Sequence, residues 1–209
     1  MEEDSDGGTV IALADDGSTV WSHENAFVDH VNEGPAVGTD NVYAASRDGR
    51  LHALARDDGS KNWTHRFEHS TVRRPHVTDI VATTCSVITV VEGAVKAFDD
   101  DGTLVWKVGG DHGTLATDGE TLYVTDLEGG ERELRALDAA TGEVRWTAGR
   151  PVPEVVATDT VYACFDESVV ALDRADGTER WRTDGSLDEL VVVDGTLYGT
   201  SGGTLQALR

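Results

Sequence analysis

Five of the seven histidines, His23, His30, His65, His69 and His76, fall in two stretches of the chain, 23–35 and 64–80. Arg66, Arg73 and Arg74 share the second stretch and form the densest positive cluster of the sequence. Imidazoles at the spacing of His65, His69 and His76 would line up on one face of a helix and could hold a zinc ion. This stretch reads instead as loop or strand, and no cysteine or second matching set accompanies it, so no metal site is expected. Paired carboxylates such as Asp15-Asp16, Asp57-Asp58 and Asp99–Asp101 recur from segment to segment beside glycines. That is the behaviour of turn formers, not of an acid–base pair. Neither a Ser-His-Asp arrangement nor a phosphate-binding loop stands out. Cys85 and Cys164 lie far apart and outside any CxxC motif, which excludes a zinc or redox pair and leaves two buried thiols as the expectation. No catalytic residue, metal or cofactor is expected, and the chain does not read as an enzyme.

The charge balance narrows the partners. The chain has 39 acidic and 17 basic residues, a net charge of −22. Nucleic acid needs Lys and Arg against its phosphates, and an anionic membrane surface needs the same, so both are excluded as expectations. Only three of the basic residues are lysines, and the acidic ones are spread over nearly every turn. Such uniformly acidic, lysine-poor chains look like proteins of extreme halophiles, in which surface charge maintains solubility in salt. The N-terminal Met1-Glu2-Glu3-Asp4-Ser5-Asp6 lacks the basic and apolar regions of a signal peptide. No apolar run approaches a membrane-spanning length, so the expectation is a soluble, cytoplasmic chain without membrane insertion.

The elements that position these residues are repeats. Each of the five tryptophans stands four residues after a glycine: Gly17 and Trp21, Gly59 and Trp63, Gly102 and Trp106, Gly142 and Trp146, Gly177 and Trp181. An Ala-Leu or Ala-Phe pair precedes each glycine, and a sixth pair, Ala207-Leu208, ends the chain without one. One unit reads as four short strands, Val155–Ala157, Thr160–Ala163, Ser168–Leu172 and Thr178–Arg182, joined by turns. Equivalent second strands carry Tyr43, Ile88, Tyr123, Tyr162 and Tyr198, at spacings of 45, 35, 39 and 36 residues. Four antiparallel strands in about 40 residues make a β-propeller blade, in an all-β single domain covering 1–209. The N-terminus begins with a third and fourth strand, and the C-terminus ends with a first, second and third. Joining them in one composite blade would remove an open edge and give about five blades. The third strand is nevertheless supplied twice, which leaves an open six-unit arc as the alternative. The repeated Trp and Tyr are expected to pack between blades, because a binding residue should be singular and these occur in almost every unit.

The string Leu134-Arg135-Ala136-Leu137-Asp138-Ala139-Ala140-Thr141-Gly142-Glu143-Val144-Arg145-Trp146, preceded by Thr121-Leu122-Tyr123-Val124, resembles the PQQ-like (quinoprotein) β-propeller repeat. The resemblance covers nearly the whole chain. It implies a propeller that serves most members as a scaffold. One branch of that family comprises quinone-dependent dehydrogenases, with a metal cluster and in many cases adjacent cysteines; this chain has no adjacent cysteines and too few blades for that ring. The other branch is a cofactor-free lipoprotein scaffold of outer-membrane barrel assembly. The chain is more similar to that branch, but is shorter and shows no lipoprotein signal.

In such a blade the fourth-to-first and second-to-third connections share one end, and the glycine turns lie at the other. The glycine end is uniform, whereas the opposite end carries the long connections 23–35, 64–80 and 126–133. Irregular loops on a rigid frame are where recognition is expected. The candidate partner-binding residues are therefore His30, Glu33, Arg66, His69, Arg73, Arg74, His76, Glu128 and Arg132, and the expected partner is a protein or peptide. The alternative is a propeller that binds a small molecule, a sugar or a quinone, between blades or on the axis.

Overall fold

The structure is a computed structural model that describes residues 8–23, 34–46, 48–68, 75–126, 132–149, 155–165, 168–185, 187 and 189–208. Among the described residues every regular element is a β-strand. The chain divides into two compact units, Met1–Lys107 and Val108–Arg209.

The first unit begins with a two-stranded sheet, β1 (Val10–Leu13) and β2 (Thr19–His23). A four-stranded antiparallel sheet follows in the order β3 (Ala36–Val37), β4 (Asn41–Ser46), β5 (Arg50–Ala55), β6 (Lys61–Arg66). A second one consists of β7 (Val77–Ala82), β8 (Ser86–Val91), β9 (Ala94–Asp99) and β10 (Leu104–Val108), the last strand reaching the boundary of the unit. The second unit repeats the plan with β11 (His112–Thr117), β12 (Thr121–Asp126), β13 (Glu133–Asp138) and β14 (Val144–Ala148). Its next sheet is β15 (Val155–Ala157), β16 (Val161–Phe165), β17 (Ser168–Leu172) and β18 (Glu179–Asp184). It closes with three strands, β19 (Glu189–Val193), β20 (Thr196–Ser201) and β21 (Thr204–Leu208).

The four-strand repeat read from the sequence is therefore present. At the C-terminus β21, the third strand read there, occupies the edge of β20. The local cause is the Gly202-Gly203 turn, in which both residues adopt positive φ and fold β21 back at once.

Second strands are buried along their length, as in β4, β8 and β12; β4 lies between two sheets of its unit, with Tyr43 toward Val77 and Phe98 and Val42 toward Val10 and Trp21. Their sequences are correspondingly apolar on both sides, not alternating. In the first unit Tyr43, Leu51, Ala53 and Phe67 pack with Val77, Val87, Val91 and Phe98. In the second, Tyr123, Leu134 and Trp146 pack with Val155, Val161 and Leu172.

Each repeated motif residue has a defined place in this packing. Tyr43, Ala53 and Trp63 lie side by side across three strands, as do Tyr123, Ala136 and Trp146. The alanine methyl is small enough for the rings on either side to lean together, with centroids 5.9 Å and 5.8 Å apart. Trp21, Trp63 and Trp146 then lie on the glycine turns of the sheets that follow them. Each indole N–H donates to a carbonyl in its turn: Trp21 to Arg56 at 2.8 Å, Trp63 to Asp100 at 2.6 Å, Trp146 to Arg174 at 2.9 Å. The glycine is required twice over. Gly59 and Gly177 have φ of +71° and +73°, and a Cβ there would sit 2.5 Å and 2.6 Å from the indole above. The aromatic pattern is thus both an in-sheet row and an inter-sheet seat.

The cysteine expectation holds for Cys164, which is buried, and fails for Cys85, which is exposed. Cys85 occupies the turn between β7 and β8, where its backbone N–H donates to Thr83 Oγ1. Turn residues of this kind face solvent.

Gly59→Ala and Gly177→Ala are each expected to lower stability by about 2–5 kcal/mol, combining left-handed strain with overpacking. Gly17→Ala has the same backbone strain but no side chain within 4 Å, and should cost only about 1–2 kcal/mol. Denaturant titration of the three variants at low salt distinguishes seat from strain.

Candidate functional site

Because each sheet is a meander, the fourth-to-first and second-to-third connections meet at one end. Arg66 is the last residue of β6, His76 precedes β7 and Arg132 precedes β13; all three are exposed at that end. Arg66 and His76 belong to the first unit and Arg132 to the second. His30, Glu33, His69, Arg73, Arg74 and Glu128 lie outside the described residues. His65 is a packing residue: its ring lies 5.1 Å from Phe67 and 4.5 Å from Phe98, with Lys96 Nζ 5.0 Å from the Phe67 centroid. Burial, reinforced by the Lys96 charge, lowers the His65 pKa and keeps the ring neutral.

Two polar clusters border this end, and the sequence reading identified neither. In the first unit His52 is buried, with Nδ1 3.0 Å from Thr64 Oγ1 and Nε2 3.2 Å from Ser46 Oγ. Ser46 in turn donates to Asp48, which also pairs with Arg50. The one self-consistent assignment has Thr64 donating to Nδ1 and the Nε2 proton pointing at Ser46. Ser46 therefore gives its proton to a carboxylate and accepts one from the imidazole. That direction is the reverse of an activated nucleophile and suits a buried brace. Burial first, then Lys61 and Arg50, pushes the His52 pKa down to about 4.

The cluster in the second unit breaks the repeat. Val77 faces Val91 across β7 and β8; the matching pair across β11 and β12 is His112 and Asp126. Both polar residues are buried, with His112 Nδ1 3.4 Å from Asp126 Oδ1. Arg135 on β13 completes the group, with Nη1 2.7 Å from Asp126 Oδ2 and Nη2 3.5 Å from Glu133. His112 Nε2 has no hydrogen-bond partner and lies beneath Gly110, where a Cβ would stand only 2.6 Å away. A buried carboxylate needs a cation, and Asp126 holds Arg135 at the base of the connection that bears Arg132. The sequence did carry a signal. Aligned by strand, His112 and Asp126 take the places of Val77 and Val91, while the Asp126 column holds Ser46, Phe165 and Ser201 in the other sheets.

Two outcomes follow from these clusters. Asp126→Val should lower stability by about 3–5 kcal/mol, since it strips a buried partner from His112 and Arg135. The double change His112→Val and Asp126→Val restores the Val77–Val91 type of pair and should recover most of that loss in the same denaturation assay. For His52 the folded pKa lies below the unfolded value of 6.5, so protonation favours the unfolded chain. Its contribution is complete above about pH 6.5 and is lost as pH falls toward 4. His52→Gln should flatten the fall in stability over that interval, measured by urea melts, although His65 adds a shift of the same sign.

Solved structures share this architecture. BamB from Moraxella catarrhalis matches with a TM-score of 0.57 and 18% identity, covering 97% of this chain and 88% of that one. The computationally designed Ika8 protein matches with a TM-score of 0.67 and 15% identity, over 92% of this chain and 62% of that one. The WD40 β-propeller domain of Doa1 gives 0.61 and 14%, over 83% and 62%. These likenesses establish a fold of propeller type. No curated protein sequence matches the chain. The family model described as outer membrane protein assembly factor BamB, a PQQ-like repeat, matches residues 6–89 and 91–208. With nearly its whole length matched, the chain belongs to this PQQ-like repeat family.

Proposed function

We propose that the chain is a non-catalytic interaction scaffold that holds a protein or peptide at the irregular end of its blades. In this reading the repeats form propeller blades, one of them composite and built from the two incomplete end sheets. The observation that carries the function is the singular His112–Asp126–Arg135 cluster. The repeats keep the glycine end uniform, while the buried pair His112 and Asp126, which stands where the other sheet has Val77 and Val91, lies at the end that carries the irregular connections. Such a cluster orders a loop at a cost in desolvation that a pure framework has no reason to bear. Membership of a family whose model is named for an assembly factor, and likeness to a WD40 domain, support a binding role over a chemical one.

The exposed Arg66 in the first unit and Arg132 in the second each give the irregular end of their own sheet a positive group on an otherwise acidic chain, which suits an acidic segment of the partner. Reversing both to Glu should weaken partner capture, in cross-linking from extract followed by mass spectrometry, by tenfold or more. Reversing Arg56 and Arg174, which lie in glycine-end turns, should leave capture unchanged. Capture that resists the first pair and fails with the second would place the binding surface at the wrong end.

A further inference from the structure

A groove runs between the fourth strand of one sheet and the third and fourth strands of the next. In the first unit, between β6 and the β9–β10 pair, the chain's own rings fill it. His65, two residues after Trp63, packs its ring 4.5 Å from Phe98 of β9. Phe67, from the connection after β6, adds a second ring 5.1 Å from His65 and 5.9 Å from Phe98. Lys96 Nζ stands 5.0 Å from the centre of the Phe67 ring, which is buried.

In the second unit smaller residues hold the same register. Ala148 faces Leu134 as His65 faces Leu51, Leu172 faces Val161 as Phe98 faces Val87, and Val170 takes the place of Lys96. The result is an open groove of about 380 Å³ between β14 and the β17–β18 pair. That is the small end of the roughly 300–1,000 Å³ found for ligand sites. Trp146 on Gly177 marks one end of the groove. The other end lies beside Ala148, Gly149 and Phe165, where the irregular connections begin. Phe165, in the place of Val91, is larger, and Gly149 leaves its ring uncovered, since a Cβ there would stand 2.9 Å from it. Arg182 forms the rim. Its guanidinium lies 6.0 Å from the Phe165 centroid and donates to Ser168 Oγ at 2.6 Å and to Glu179 at 2.8 Å. The corresponding groove against β20 and β21, about 460 Å³, is lined by Thr183, Asp184, Ser201 and Gln206 and is more polar.

We propose that this groove receives an aromatic side chain of the partner, laid against the Phe165 ring where His65 lies in the first unit, with Arg182 at its edge. The first unit shows the chemistry that such a groove takes: a ring against a ring, with a cation over one face. The occupant is a partner's residue because the segment joining β14 to β15, Gly149-Arg150-Pro151-Val152-Pro153-Glu154, includes no aromatic one, whereas the connection after β6 supplies Phe67. A ring gains from the guanidinium what an aliphatic side chain cannot. Ser168 and Glu179 already hold Arg182 in place, so little ordering is left to be done on binding. The inference rests on the reading that a protein or peptide is held at the irregular end of the sheets, and it adds the residue type that anchors it.

Fluorine NMR of the full chain with an acetylated tripeptide amide, para-fluorophenylalanine between two glycines, tests it directly. The expected result is saturable binding at millimolar peptide. Ala148→His restores the plug of the first unit and should weaken binding by about tenfold or more. Arg182→Gln should weaken it about two- to fivefold. Circular dichroism melts identify a variant that fails to fold; Arg182 is nearly half exposed, so its variant decides the case if Ala148→His does not fold. Reversing Arg66 and Arg132 to Glu should leave peptide binding unchanged. Partner capture that is lost on reversing those two arginines but indifferent to Ala148→His overturns the groove and leaves the irregular-end reading standing. No binding to the unaltered chain, or binding indifferent to both groove substitutions, also overturns the proposal. Free para-fluorotoluene bound as tightly as the peptide makes the groove a small-molecule site and overturns the partner's side chain as its occupant.

Discussion

An indole ring resting on a glycine that no other residue can replace is the contact on which this structure depends. Short strands bury too little to hold a sheet in place, so the registration of one sheet on the next must come from large rings. The glycine supplies two things at once: a left-handed turn and a bare backbone on which the ring can lie. The hydrogen bond from the indole N–H to the turn carbonyl then fixes the angle of the ring as well as its distance. Alanine in the neighbouring strand serves the same contact from inside the sheet, by leaving room for tyrosine to support the tryptophan.

This contact also explains where variation is permitted. The turn that receives the ring is bound by φ, by the absent Cβ and by the carbonyl acceptor, so the glycine end is held uniform. The opposite end has no such obligation. There, apolar pairs such as Val77 and Val91 can become His112 and Asp126 without disturbing the seat, provided the charges find partners. The scaffold reading follows from this separation of duties between the two ends of each sheet.

Much of the fold was legible in the sequence because the seat leaves a strict spacing: glycine, then tryptophan four residues on, after an Ala-Leu pair. The strands of the unit ending at Trp181 were placed to within a residue or two for the same reason. The site was less legible. Loop composition drew attention to exposed arginines and histidines, of which Arg66, His76 and Arg132 do stand at the expected end. It passed over His52, His112 and Asp126, because a buried polar residue looks in sequence like any other strand residue until the repeats are compared column by column. His65 was weighed as a ligand, and its aromatic neighbours Phe67 and Phe98 become visible only when strands from two sheets are brought together. The three C-terminal strands were legible as well, since the local hairpin through Gly202-Gly203 sets β21 on the edge of β20.

The central claim is that framework and recognition occupy opposite ends of the sheets. A saturation substitution scan, scored separately for folded abundance and for partner capture, tests it most directly. Changes in the tryptophan, glycine and alanine columns are expected to reduce abundance and capture together. Changes around Arg66, His76 and Arg132 should reduce capture while abundance holds. Loss of capture alone that mapped to the glycine turns or to the tryptophans would contradict it.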